Sequence, residues 1–381
     1  MYNDNLKLSL QYFIYFSTLG VFLPYFNLYC HELGFSSFKI GMLSSTKTVT
    51  AIIFPMLWGY LADRFQARKK IFFSTIFCSA LAWLFFFFTQ NFTLMLVIIF
   101  FHGLFYSPII SFMETFTVEL LGRKKKKYGQ IRLWGSIGFI CSVFLTGWLL
   151  DLFHTNIILI LILVGLLLQF FIALKLQDNQ ARSAGNNQFS IKSFLNRKTA
   201  VFLFVSFLML GSHSPYYSFY SIYLSDKGLD NIYIGFSWGI AVFAEIIIMH
   251  NSNRIFKKVA PLSVLIFSMF AASFRWMILY FTSDIIVILA SQVLHCFSYA
   301  SFHMASILYI DELSPEGQKT TGQAINNAIG YGAGLLAGNI ISGAAYDVFG
   351  GQNLFLGASF VAMSGGFILM SFSLLEPGIK K

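Results

Sequence analysis

Apolar runs long enough to cross a bilayer alternate with short polar breaks along the whole chain. A helix of roughly twenty apolar residues spans a hydrocarbon core, and in lipid its backbone polar groups must pair within the segment. Each run therefore predicts a membrane-spanning helix. The first six cover Leu6 to Cys30, Ser37 to Ala62, Lys70 to Phe88, Phe92 to Leu120, Tyr128 to Phe153 and Ile157 to Leu176. Six more cover Thr199 to Ser225, Ile232 to His250, Val259 to Phe281, Ile285 to Leu313, Gln318 to Val348 and Asn353 to Leu375. Between the two sets lies the one long polar interval, Lys175 to Lys198, whose Asn, Gln, Ser, Gly and basic residues cannot bury enough apolar surface to fold alone. The pattern predicts an all-α membrane protein of twelve transmembrane helices, with a six-helix half over residues 1–177, a linker over 178–198 and a second six-helix half over 199–381.

Composition agrees with that division. Hydrophobic residues make up 57% of the 381 and charged residues 11%, and the mean hydropathy is +0.70, values that exclude a water-soluble globular domain. The start Met-Tyr-Asn-Asp-Asn lacks a basic leader, so the first span is expected to stay. Cys30, Cys78, Cys141 and Cys296 show no paired spacing, and neither disulfides nor a metal site are expected from them.

A formal charge of +10 suggests nucleic acid until its placement is read. Basic residues gather at Lys7, at Arg64 to Lys70, at Arg123 to Lys127 with Arg132, through the linker, at Arg254 to Lys258, at Lys319 and at Lys380 and Lys381. Only Lys39, Lys47, Lys227 and Arg275 fall elsewhere. This is the positive-inside distribution, which puts both termini and the linker in the cytoplasm and the loops near His31, Asn91, Asp151, Asp226, Asp284 and Gly351 outside. No nucleic-acid partner is expected.

The two halves repeat. Tyr29, Gly34, Ile40 and Gly41 recur as Tyr223, Gly228, Ile234 and Gly235 at an offset of 194. Glu119, Gly129 and Gln130 recur as Glu312, Gly322 and Gln323 at an offset of 193. Parallel repeats imply pseudo-symmetric halves related by an axis along the membrane normal, with a binding site near the midplane.

A charge inside a span costs at least about 2.5 kcal/mol on insertion scales, so each one needs a purpose. Glu114, Arg132, Glu245, Arg275, His295 and His303 are such residues, with Lys47 and His102 less tightly placed. Arg275 precedes Asp284 and His295 follows it by distances that put both about 13–17 Å below the outer surface at 1.5 Å per residue. Tyr299 lies between His295 and His303 on a similar helix face. Glu245, on a neighbouring span, is the expected direct counter-ion of Arg275.

The loop Gly59-Tyr-Leu-Ala-Asp63-Arg64-Phe-Gln66-Ala-Arg68-Lys69-Lys70 resembles the signature loop of the major facilitator superfamily, with Gln66 where a Gly is usual. The resemblance implies a cytoplasmic gate at Gly59, Asp63, Arg64 and Arg68, Gly59 letting helices approach. Arg132-Leu-Trp134-Gly135-Ser-Ile-Gly138-Phe139, with Glu114 upstream, resembles the fifth span of the lactose-permease-like proton symporters. That likeness gives Glu114 and Arg132, facing each other, a substrate-holding role, and gives Glu245, Arg275 and His295 roles in coupling and binding. The proton-carrying Glu of that group falls here on Ser298. Leu294-His295-Cys296, His303-Met-Ala305 and Tyr309-Ile310 look most like the phenylpropionate permease branch, while the nucleoside branch shares much of the fifth-span pattern.

The expected function is proton-coupled import of a small organic solute, best an aromatic acid of phenylpropionate type, with a nucleoside or sugar as the alternative. Proton coupling is expected at Glu245, Arg275, His295 and His303, and substrate binding at Glu114, Arg132, Trp134, Arg275 and Tyr299. Tyr12, Tyr15, Tyr25, Tyr216 and Tyr220 are further candidates for stacking on a planar ligand. The resemblance implies the inner membrane of a bacterium, a monomer, and no cofactor. No HExxH, GxSxG or Cys/His cluster supports a membrane enzyme, and no fused signalling domain supports a sensor.

Overall fold

Residues 2–121, 128–176, 196–315 and 318–375 are described by the computed structural model, and every regular element among them is helical. The basic run Arg123 to Lys127, most of the linker and the terminal Lys380 and Lys381 lie outside the described residues. The elements are α1 (Tyr2–Glu32), α2 (Ser37–Arg64), α3 (Arg68–Leu84), α4 (Phe92–Tyr106), α5 (Ile109–Leu121), α6 (Tyr128–Leu152) and α7 (Ile157–Leu174). They continue with α8 (Arg197–Asp226), α9 (Asn231–Phe256), α10 (Pro261–Phe281), α11 (Ile285–Ser291), α12 (Ser301–Leu313), α13 (Lys319–Asn327) and α14 (Leu335–Leu375). Two π-helical turns, Cys296–Ala300 and Ala328–Gly334, precede α12 and α14.

Eleven apolar helical stretches are long enough to cross a membrane, and the last, Thr321–Leu375, runs to 55 residues. At 1.5 Å per residue that is about 80 Å, more than twice a bilayer core. Gly350 breaks it with φ 78 and ψ 160, so it makes two crossings and the total is twelve. The fourth span is itself two helices, α4 and α5, because Pro108 has no N–H to continue the ladder.

The repeat is visible atom by atom. Gly34 (φ 80) donates to His31 O while Phe35 donates to Cys30 O, closing α1 in a left-handed cap. Gly228 (φ 78) donates to Ser225 O and Leu229 to Leu224 O, the same two bonds one repeat later. Only glycine takes that conformation without a steric penalty. Asn91 and Asp284 cap the helices after the second outer loop of each half, each side chain accepting from two backbone N–H groups.

The described helices form two compact units. The first is α1–α7 with Leu224–Gly239, and the second is the rest of α8, the rest of α9 and everything from α10 onward. In the first, α1 lies against α6 and α7; a Cβ at Gly138 would come within 2.2 Å of Phe13 O, so glycine sets the α1–α6 approach. In the second, α10 packs on α14 and α12, and Ser273 meets Ser359 at 2.8 Å across that contact. Tyr12, Tyr15, Tyr25, Tyr216 and Tyr220 are core residues, Tyr15 at 7% exposure and the other four at 0%, so most of the ligand-stacking role expected of them is replaced by packing.

Candidate functional site

A buried polar cluster of the second unit is built on Arg275 of α10, which is 0% exposed. Its Nη1 lies 2.7 Å from His295 Nδ1 and its Nη2 donates to Gln292 Oε1 at 2.5 Å. His295 Nε2 in turn lies 2.9 Å from Glu245 Oε1. The expected counter-ion of Arg275 is thus linked to it by a bridge through His295. Depth along a span fixes height but not direction, and His295 occupies the gap at the same height.

The bridge fixes the state of the imidazole. A guanidinium only donates, so Nδ1 must accept, and the remaining proton sits on Nε2, aimed at the carboxylate. The cluster reads guanidinium, neutral imidazole, carboxylate, with no net charge. The rings of Tyr216 and Trp276 lie 4.2 Å and 4.6 Å from the guanidinium carbon, supplying π faces that favour a desolvated cation.

From His295 a row of rings runs along the span. His295 and Tyr299 stack at 5.2 Å with 6° between planes, and Tyr299 and His303 at 6.1 Å with 8°. Tyr331, on the second π-helical turn, puts its hydroxyl 2.6 Å from His303 Nδ1. Both π turns thus contribute a tyrosine to the row, in keeping with the tendency of such turns to occur at functional positions.

Two members were not singled out from the sequence. Gln292 stands one turn before His295, a Gln-x-x-His spacing that puts both on one face. His213 of α8 is 0% exposed and lies 5.0 Å from Trp276 and 6.0 Å from His295, ring to ring. Its Nε2, Arg275 Nε and Trp276 Nε1 are buried without a hydrogen bond. Two orphaned nitrogens beside a guanidinium whose own Nε is unbonded suit an oxygen-bearing ligand group.

The first unit matches its expectation less closely. Among the described residues no direct ion pair joins Glu114 to Arg132; the guanidinium instead lies 3.9 Å from the Phe16 ring and 5.7 Å from Tyr12. Trp134 is 47% exposed and edges against Phe13. Two residues on from Arg132, it is turned about 200° round α6, so the structure does not bring these two together.

At the α2–α3 turn, Arg68 donates to Asp63 Oδ1 from Nε at 2.8 Å and from Nη2 at 2.6 Å, and reaches Glu119 Oε1 at 2.5 Å. Among the described residues Arg64 bonds Tyr60 OH, in an exposed contact at 3.3 Å, and a Cβ on Gly59 would meet nothing within 4 Å. The close approach expected at Gly59 is therefore not made among the described residues, and Arg68 rather than Arg64 carries the ion pairs to Asp63 and Glu119 seen here. Gln66, at the place where the resembling loop has Gly, holds φ 48, a left-handed conformation that glycine takes freely.

Residues 5–357 match the family described as MFS_1 like family. The chain is 28% identical to the probable 3-phenylpropionic acid transporter of Escherichia coli (strain K12), over 95% of this chain and 96% of that protein. It is 25% identical to the putative nucleoside transporter YegT of the same organism, over 88% and 83%. The solved structure of the nucleoside transporter NupG superposes with a TM-score of 0.87 at 17% identity, covering 97% of this chain and 98% of that one; at that identity the likeness is one of fold.

Proposed function

The chain belongs to the MFS_1 like family and is a multi-pass membrane transporter of the major facilitator type, not an enzyme, and from that premise we propose that it imports a small aryl carboxylate together with a proton. The observation that carries this reading is the Arg275–His295–Glu245 bridge. Empty, the cluster is neutral. A proton added to the His295–Glu245 pair gives it a net positive charge, and once that proton reaches Nδ1 the imidazole no longer accepts from Arg275. The freed guanidinium then takes a substrate carboxylate in its bidentate fork, and the loaded cluster is neutral again. Proton and anion binding favour each other, without a carboxylate at Ser298.

Tyr299, His303 and Tyr331 extend the same polar row and serve as the proton's path, while Arg132 and Glu114 are the substrate-binding residues of the first unit. Asp63 and Arg68 work the cytoplasmic gate, with the termini and basic loops inside a bacterial inner membrane. The printed name of the 28% identical relative supports an aryl acid as substrate. A nucleoside carries no carboxylate for Arg275, which favours the acid.

Proteoliposomes decide between them. Adding 3-phenylpropionate is expected to alkalinise the outer medium as proton and acid enter together, while uridine leaves the pH unchanged. Accumulation of the acid with no pH change, or alkalinisation by uridine alone, contradicts the proposal.

A further inference from the structure

The first unit carries a cation that the reading above does not use. Lys47 lies ten residues into α2, about 15 Å along its axis at 1.5 Å per residue, half the depth of a bilayer core. Its ammonium sits 3.7 Å from the centre of the Phe22 ring, and among the described residues it has no carboxylate. Five acids of this unit are engaged elsewhere. Asp4 holds Lys7, Asp63 and Glu119 hold Arg68, Asp226 meets His31, and Asp151 accepts from the backbone of Asn231 and Ile232.

A ladder of near-parallel rings leads to the same point. Tyr15 stacks on Tyr106 at 5.2 Å and 9°, Tyr106 on His102 at 5.1 Å and 22°, and His102 on Phe22 at 6.4 Å and 17°. Tyr15, Tyr106 and His102 are buried, whereas Phe22 and Lys47 are only half-buried, so the ladder opens at the cation. The Tyr106 hydroxyl, buried within it, makes no hydrogen bond of normal geometry. His102 is held by Ser79, whose Oγ lies 3.0 Å from Nδ1, so its ring is fixed in the stack.

An intramembrane cation without a counter-ion marks a ligand site by default, and one that closes a wall of aromatic rings has a defined chemistry. We propose that Lys47 and the Phe22–His102–Tyr106 ladder form a second binding site, for the carboxylate and ring of an aryl acid. The carboxylate takes the ammonium from the Phe22 face as an ion pair, and the arene packs against the ladder. The choice of an aryl acid rests on the function proposed above, but the site shares no residue with the Arg275 cluster.

Trp83 reports on this site and Trp276 on the other, since Trp83 lies 4.9 Å from His102 and Trp276 lies 4.6 Å from the Arg275 guanidinium carbon. The full-length protein in detergent is titrated with 3-phenylpropionate, and the Trp→Phe variant at each position identifies that residue's fluorescence change. The Trp83 signal is expected to saturate, to need about tenfold more ligand in Lys47→Gln and with the neutral amide of the acid, and to persist in Lys47→Arg. A Trp276 response without one from Trp83 overturns the second site and leaves the proposed function standing. Silence at both removes both. A Trp83 response equal in Lys47→Gln, or equal for acid and amide, shows binding that ignores the cation and also overturns the proposal. If Lys47→Gln does not fold, the comparison of acid with amide on the parent decides.

Discussion

Arg275 in the second unit and Lys47 in the first are both cations at mid-span depth, and their surroundings treat them in opposite ways. Arg275 is fully enclosed and given acceptors by His295 and Gln292, with Glu245 one bond further on. Lys47 is half-buried and has only the face of Phe22. A satisfied charge is part of the architecture as well as of the chemistry, so its removal damages both. A charge left without a counter-ion works against folding and is retained for what it binds.

The largest expected effect comes from Arg275→Met. It strands the buried His295 and the mostly enclosed Glu245, and removing one partner of a buried pair costs about 3–5 kcal/mol. Thermal unfolding in detergent is expected to fall accordingly, with transport abolished; a variant as stable as the parent would dissolve the contrast. Lys47→Met is expected to move the other way. Insertion scales put a central lysine at about 2.5–3.5 kcal/mol, and as Lys47 keeps a π face and part of its hydration the gain is about 1–2 kcal/mol, read as a higher unfolding temperature. A loss of stability there would mean that the ammonium is anchored after all.

His295→Gln sharpens the paired side of the comparison, because an amide can still accept from Arg275 and donate to Glu245 but cannot take up a proton. Its stability is expected to change by about 1 kcal/mol or less, while pH-driven uptake fails. The smallest effect belongs to Asp63→Asn. Arg68 keeps Glu119 when Asp63 is neutralised, and partly exposed pairs contribute about 0–1 kcal/mol. The change is expected to appear as increased labelling of cysteines placed at cytoplasmic positions rather than as lost stability.

The spans were legible because a bilayer imposes a length and an apolarity that few other environments demand. The repeat was legible because Gly34 and Gly228 must both turn left-handed, which glycine alone does freely. Grouping Arg275 with His295 followed from counting residues to the outer loop, since helical rise converts sequence into depth, and the family resemblance added Glu245. Azimuth is what the count lacks. It left His295 beside Arg275 and Glu245 rather than between them, and put Trp134 with Arg132 although two residues turn the helix by about 200°, to the opposite side. Pro108 announced the break between α4 and α5 and went unread because the apolar run continues through it. His213 stands among small residues, Gly211-Ser212-His213-Ser214-Pro215, that carry no pattern of their own, and the approach of α8 to Trp276 is what shows that its ring belongs to the site.

Exchange compared with uphill uptake in Glu245→Gln proteoliposomes tests the coupling most directly. The amide is neutral like the protonated carboxylic acid, so the cluster keeps a net positive charge that attracts the anion to Arg275, while His295 loses the carboxylate that draws a proton to it. Counterflow of labelled 3-phenylpropionate is expected to persist, while accumulation driven by an inward proton gradient is lost. Accumulation equal to the parent's would contradict the coupling, leaving Glu245 a structural support for His295.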